Sequence, residues 1–412
     1  MPETVAAGVG QRCRTIGDVT VVRTERAVAG GEILAHHDDG RVLFVSGALP
    51  DELVEVTLYH EKARFAKADV IRVVEPSPDR VVEPCRRRHE GCGGCDWMHV
   101  EPRRQLDHKA SVVTDALVRT AHLTDPPVAR GGTVPANAYR TTIRAVGNGD
   151  GRLGFRARRS HDVVVAGGCL IAHPTLVELL DTVRVSPGLE ITLRVSEASD
   201  EITARWDPAT GEVNGLPEAT GTTKDAVVHE LVAGASLQVS SASFFQSGPA
   251  AAELIVDTLA TLVPELARAG SVVDAYAGVG VLGRTTVPSN ASLVTIETSK
   301  WAAADAAINR PGALVHVGDV GRPAAATFVA RHVDDIDVVI ADPSRRGLGR
   351  AAVDALAGMR APVLALVSCD PVSLARDAAL LSDAGYALER VIVVDLFPQT
   401  HHVETVARFV HE

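Results

Sequence analysis

Cys369 stands between the apolar run APVLALVS and the stretch DPVSLARDAALL, which reads as a helix opening near Pro371. A thiol at a helix N-terminus is favoured as thiolate, the nucleophilic form, because the positive end of the helix dipole lies there. A lone Cys after a strand is usually a small buried hydrophobe, so its neighbours must decide. Four other cysteines carry a different pattern. Cys85, Cys92 and Cys95 form C-x6-C-x2-C in PCRRRHEGCGGCDW, and Cys169 sits in a second glycine-flanked turn, AGGCLIAHP. Four thiolates suit a 4Fe-4S cluster or a structural zinc ion, and spacing leaves both open. Cys13 has no evident role.

A second constellation lies upstream of Cys369. The apolar run SVVDA enters YAGVGVLG, which puts Asp274, Gly278 and Gly280 at a strand-to-loop turn where backbone can approach a ligand closely. The register is not the G-x-G-x-x-G of dinucleotide folds. Glu297 closes SLVTIE, Asp319 closes ALVHVGD and Asp342 closes DVVIADP. Any one of these carboxylates is an ordinary loop residue. Three in succession at one sheet edge favour an adenosine-bearing ligand, whose ribose hydroxyls a carboxylate accepts.

The elements that must hold these residues follow from the hydrophobic pattern. Residues 12–78 hold short Val-rich and Ile-rich runs between Gly and Pro turns, the pattern of a small OB-like β-barrel, and PSPDR reads as a linker after it. Residues 79–235 form a mixed central domain with the cysteine-rich loop and a helix around Gln105 to Ala121. In residues 236–412 apolar strands alternate with Ala-rich helices, which predicts an α/β domain with a parallel, doubly wound sheet of Rossmann-like type. Nowhere do the roughly 20 apolar residues of a membrane span occur, and the first residues lack the order of a secretory signal, so a cytoplasmic monomer without a membrane partner is expected. A net charge of -11 argues against non-specific coating of nucleic acid.

DAYAGVG, TIETSKWAAADAAIN, DVVIADPSRRGL, LVSCDPVSLARD and DLFPQTHHVETVARF stand in the order of the RNA uracil-5 methyltransferase family, and FFQSG and CGGCDWMH match upstream. The chain resembles this family from about Arg23 to Phe409, and its first segment resembles the TRAM barrel of bacterial 23S rRNA (uracil-5-)-methyltransferases. The resemblance implies methylation of carbon 5 of a uridine, in rRNA or else in tRNA, by a class I S-adenosylmethionine-dependent domain. It implies Cys369 as nucleophile, Glu404 as general base, and Gln246, Tyr276, Glu297 and Asp342 at the S-adenosylmethionine site. Cys85, Cys92, Cys95 and Cys169 become ligands of a 4Fe-4S cluster on the same ground. RNA would meet the basic clusters, which concentrate before residue 160 and include Lys62, Arg64 and Lys67 beside Phe65. The family's DPPR is here DPSR, with Ser344 in place of a rigid ring; Val281 replaces a usual Asn, and Met98 a usual Gln. A non-catalytic RNA-binding protein with a drifted site is the reading of a different class.

Overall fold

Leu53–Glu61 alternates buried and half-buried residues along its first six positions, the period of two that lets one face of a strand enter a core. With Val19–Ala27, Ile33–His36, Val42–Ser46 and Phe65–Glu75 it closes a five-stranded barrel, in which Val42–Ser46 runs parallel to Phe65–Glu75 and the other pairs are antiparallel. Leu43, Val45, Val54, Val56, Ala66 and Ala68 fill its interior. The structure is a computed structural model that describes residues 19–412; Cys13 and the start of the expected 12–78 segment lie outside the described residues. The PSPDR stretch is tied down rather than free: Arg80 and the Ser77 amide bind the buried Glu52 carboxylate. Lys67 pairs with Glu32, and the Phe65 ring packs edge-on against Phe44.

The described residues divide into two compact units, the barrel with residues up to 80 and a unit of residues 29–31 and 81–412. Within the second unit, a five-stranded antiparallel sheet runs in the order Ile202–Arg205, Glu190–Val195, Thr142–Gly147, Leu153–Arg156 and Val163–Val165. Pro174–Thr182 packs Leu176, Leu179 and Leu180 on it.

The largest sheet has eight strands, in the order Leu314–Val317, Ser292–Glu297, Ser271–Ala275, Val338–Ala341, Val363–Ser368, Glu404–His411, Tyr386–Asp395 and Val128–Thr133. Alternate residues of each central strand enter different cores. Val272, Ala365 and Val367 meet the helix Pro249–Leu262 on one face, while Val273, Leu364 and Leu366 meet Pro323–His332, Gly349–Ala357 and Pro371–Asp383 on the other. Helices therefore cover both faces, as a doubly wound sheet requires. The sheet departs from the expected all-parallel form in one strand. Glu404–His411 is antiparallel to both neighbours, because the loop of residues 396–403 after Tyr386–Asp395 reverses the chain.

Two elements of the expected central segment also join this sheet. Val128–Thr133 adds its last strand, and the helix Pro102–Thr120 starts earlier than expected, with Pro at its first turn, and packs Val113 and Leu117 into the core of Leu374 and Leu381. Lys109 on that helix forms a fully buried ion pair of 2.6 Å with Asp395, and its ammonium also donates to the Phe397 carbonyl.

Candidate active site

Strand register brings the chemistry to one edge. Ala275 lies opposite Ile296 and Ala341, Glu297 opposite Val317, and Ala341 opposite Leu366, so the parallel strands end together. Tyr276, Glu297, Asp319, Asp342 and Cys369 all occur at those ends or within three residues beyond them. The antiparallel strand begins where they stop. Ser368 pairs with Thr405, which sets Glu404 beside the residue that follows Ser368, Cys369.

The glycine loop owes its shape to backbone that side chains disfavour. Gly280 has a φ of +82°, and a Cβ there would stand 3.2 Å from the Ala306 backbone. Tyr276 takes a positive φ of 63° without being glycine, a strained turn of the kind found at ligand sites. Glu297 anchors the loop: its carboxylate accepts from the Gly278 amide at 2.9 Å and the Ser299 amide at 2.7 Å. Asp319 accepts from the Gly321 amide and raises the Tyr276 phenol, which burial first pushes up to about 12. Asp274, which the sequence places at the turn without a role, is buried. One oxygen accepts from the Gly283 amide, the other has no partner, and burial, with Asp342 and Glu297 nearby, pushes the acid up to about 7.

Cys369 faces Glu404, Asp342 and Arg345. Burial, then the two acids, push its thiol up to about 12, and Arg345 opposes them. Burial and the two acids thus work against the thiolate that a helix start favours. Asp370 is the capping residue, its carboxylate accepting from the Ser373 amide. Burial raises Asp342 to about 7 and Glu404 well above the carboxylate range, and Asp342 adds to the rise in Glu404. Gln246 donates to Asp342 at 3.4 Å.

The two loops that carry Arg345 and Glu404 are both clamped. Around Arg345, the buried Asp377 accepts from the Leu348 amide at 2.7 Å and the Gly349 amide at 3.1 Å, and Ser373 donates to the Arg345 carbonyl at 2.8 Å. These contacts supply the rigidity that Ser344 in place of Pro was expected to cost. Before Glu404, Gln105 exchanges hydrogen bonds with Gln399, Tyr139 donates to the Pro398 carbonyl, and Asp96 binds both the amide and the ring of His401. The Arg345 guanidinium meets the His402 Nε2 at 3.4 Å.

Cys85, Cys92, Cys95 and Cys169 line one cavity of about 260 Å³, together with Arg87, Arg88 and Arg140. Burial raises the Cys92, Cys95 and Cys169 thiols, and the cysteines raise one another. Among the described residues no three His, Cys, Asp or Glu side chains are grouped so as to hold a metal ion. The four cysteines expected to ligate a 4Fe-4S cluster thus share one cavity without being grouped as a metal site. Among the described residues no helix is long and apolar enough to cross a membrane.

No family model matches the chain. Over 92% of its length and 95% of the relative's, it is 33% identical to an uncharacterized RNA methyltransferase of Streptomyces avermitilis. It is 31% identical to the 23S rRNA (uracil(1939)-C(5))-methyltransferase of Halomonas elongata, over 92% of this chain and 87% of that one. Among solved structures it resembles the Pyrococcus abyssi tRNA (uracil-54, C5)-methyltransferase in complex with S-adenosyl-L-homocysteine, with a TM-score of 0.68 and 21% identity over 94% of this chain and 99% of that one. At that identity the likeness speaks for the fold.

Proposed function

The chain belongs to the RNA methyltransferase family, and on that premise we propose that it methylates carbon 5 of a uridine in RNA, 23S rRNA in the first place, with S-adenosylmethionine as donor and Cys369 as nucleophile. The observation that carries the reading is the meeting of Cys369, Glu404, Asp342 and Arg345 at one sheet edge beside the glycine loop. Carbon 5 of uracil is a weak nucleophile. Cys369 must first give up its thiol proton, to water or a neighbouring carboxylate, with Arg345 favouring the thiolate; addition of that thiolate to carbon 6 then turns the ring into an enolate with an electron-rich carbon 5. S-adenosylmethionine supplies a methyl group on a positively charged sulfur. After transfer, Glu404 takes the remaining proton from carbon 5, and the electrons of that bond expel the cysteine from carbon 6. Burial and Asp342 raise the Glu404 pKa, so it accepts the proton only once ionised, a form that a bound sulfonium cation favours.

Gln246, Tyr276, Gly278, Gly280, Glu297, Asp319 and Asp342 form the cofactor site in this reading. The unpartnered buried oxygen of Asp274 and the acids around it give the site a negative cast, which fits a cationic sulfonium. The same proposal takes the N-terminal barrel as a TRAM-like RNA-binding module, residues 236–412 as the class I methyltransferase domain, and the enzyme as a cytoplasmic monomer. It also takes Cys85, Cys92, Cys95 and Cys169 as ligands of a 4Fe-4S cluster. The choice of a cluster over a zinc ion rests on the family resemblance; the shared cavity accommodates the four thiols around one centre. Arg87, Arg88 and Arg140 at that cavity offset the charge of four thiolates.

Mapping 5-methyluridine in rRNA and tRNA from a strain lacking the gene tests the function. Loss of one rRNA site is expected. Loss confined to tRNA would move the substrate, and loss from neither would overturn the proposal.

A further inference from the structure

Arg345 is the cation that opposes the acids around Cys369, yet its side chain is exposed, on a loop at the rim of the sheet. An exposed guanidinium samples many rotamers unless something holds it. Its main chain is fixed, because Ser373 binds its carbonyl, and Ser373 belongs to the helix turn that directly follows Cys369. Among the described residues, the partner at the other end is His402 Nε2, at 3.4 Å. Only a neutral imidazole protonated at Nδ1 accepts at Nε2.

We propose that His402 is a positioning residue for Arg345, accepting from its guanidinium and thereby holding that charge toward the Cys369 sulfur and the Asp342 and Glu404 carboxyls. His402 is itself held. Its ring packs 4.3 Å from that of His401, which Asp96 fixes by two hydrogen bonds, and stands edge-on to Phe397 at 5.9 Å. The groups that face His402 are His401, Arg345, Asp96 and Arg140; burial first, then His401 and Arg345, depress its pKa to about 3, so the imidazole stays neutral and able to accept at working pH. Cys369 is faced by Glu404 from one strand and by Asp342 and Arg345 from the loop after another. The inference rests on the reading of Cys369 as nucleophile, but its test needs neither RNA nor cofactor.

The full-length protein is alkylated with iodoacetamide across a pH series, and the Cys369 peptide is quantified by mass spectrometry. Arg345→Ala raises the alkylation midpoint, so that labelling at fixed pH falls about tenfold, the effect of one nearby charge. His402→Ala does the same in part, His402→Gln restores much of it through its amide oxygen, and His402→Ala in the Arg345→Ala background adds nothing. A wild-type midpoint in His402→Ala overturns the proposal, as does an undiminished His402→Ala shift without Arg345, or an unshifted Arg345→Ala. Arg345 is exposed, so its variant folds and keeps the comparison available if His402→Ala does not. A shifted profile in a protein that forms no adduct with RNA would keep the positioning pair and remove the uridine reaction. An adduct with an unshifted profile would do the reverse.

Discussion

Lys109→Met tests what ties the helix Pro102–Thr120 to the loop before Glu404. Lys109 and Asp395 are both fully buried, 2.6 Å apart, and the Lys109 ammonium also binds the Phe397 carbonyl. Burial lowers the Lys109 pKa and raises that of Asp395 in spite of their attraction, so desolvation outweighs pairing for each. Deleting the lysine strands a carboxyl that already has one unpartnered oxygen, and breaking such a pair costs roughly 3–5 kcal/mol. Lys109→Met combined with Asp395→Leu replaces two buried charges by apolar groups, and most of that loss should return. Guanidinium unfolding followed by tryptophan fluorescence measures this, because Trp97, Trp206 and Trp301, the only tryptophans, all lie in the second unit. A loss below about 1 kcal/mol in the single variant, or a double variant no more stable than the single one, would refute the reasoning.

Gly280→Ala forces a side chain onto a positive φ and into the Ala306 backbone; it should cost about 1–2 kcal/mol and weaken S-adenosylmethionine binding, read by denaturant titration and calorimetry. For the imidazole of His402, whose folded pKa is about 3 against an ordinary 6.5, the unfolded chain binds the proton first, so stability is lost as pH falls from about 6.5 toward 3, and His402→Gln should flatten that slope in acid unfolding curves. Binding of S-adenosylmethionine near pH 7 should release protons from the raised Asp342 and Glu404, since a bound cation favours their ionised forms; calorimetry in buffers of different ionisation enthalpy reads this, and no buffer dependence would contradict it. Protein purified without oxygen should carry about four irons per chain, and stoichiometric zinc without iron would contradict the cluster.

Strand-and-helix alternation in the C-terminal half was legible because parallel strands buried on both faces leave long apolar runs, and the acids that end them mark the sheet edge. Glu404 was not legible from its own surroundings. It meets Cys369 only through the register of an antiparallel strand, which no local pattern announces. The helix-dipole reading of Cys369 took no account of its burial or of Glu404 and Asp342 beside it, which push its thiol up. The sequence placed Asp274 at the turn, but that it is buried with one unpartnered oxygen appears only in the tertiary structure. The substitute for the missing proline lies in Ser373 and Asp377, on a helix beyond the next strand, where only tertiary structure brings it to the loop. The central segment resisted reading because one of its helices and one of its strands complete the C-terminal sheet and its covering layer.

Incubation with S-adenosylmethionine and RNA carrying 5-fluorouridine is the most direct test of Cys369 as a covalent nucleophile, since fluorine at carbon 5 leaves no proton for Glu404 to remove and traps the enzyme on carbon 6. The predicted result is a stable RNA–protein adduct mapped by mass spectrometry to Cys369 and absent from Cys369→Ala. No adduct with fluorinated rRNA or tRNA, or an adduct that persists in Cys369→Ala, would contradict it.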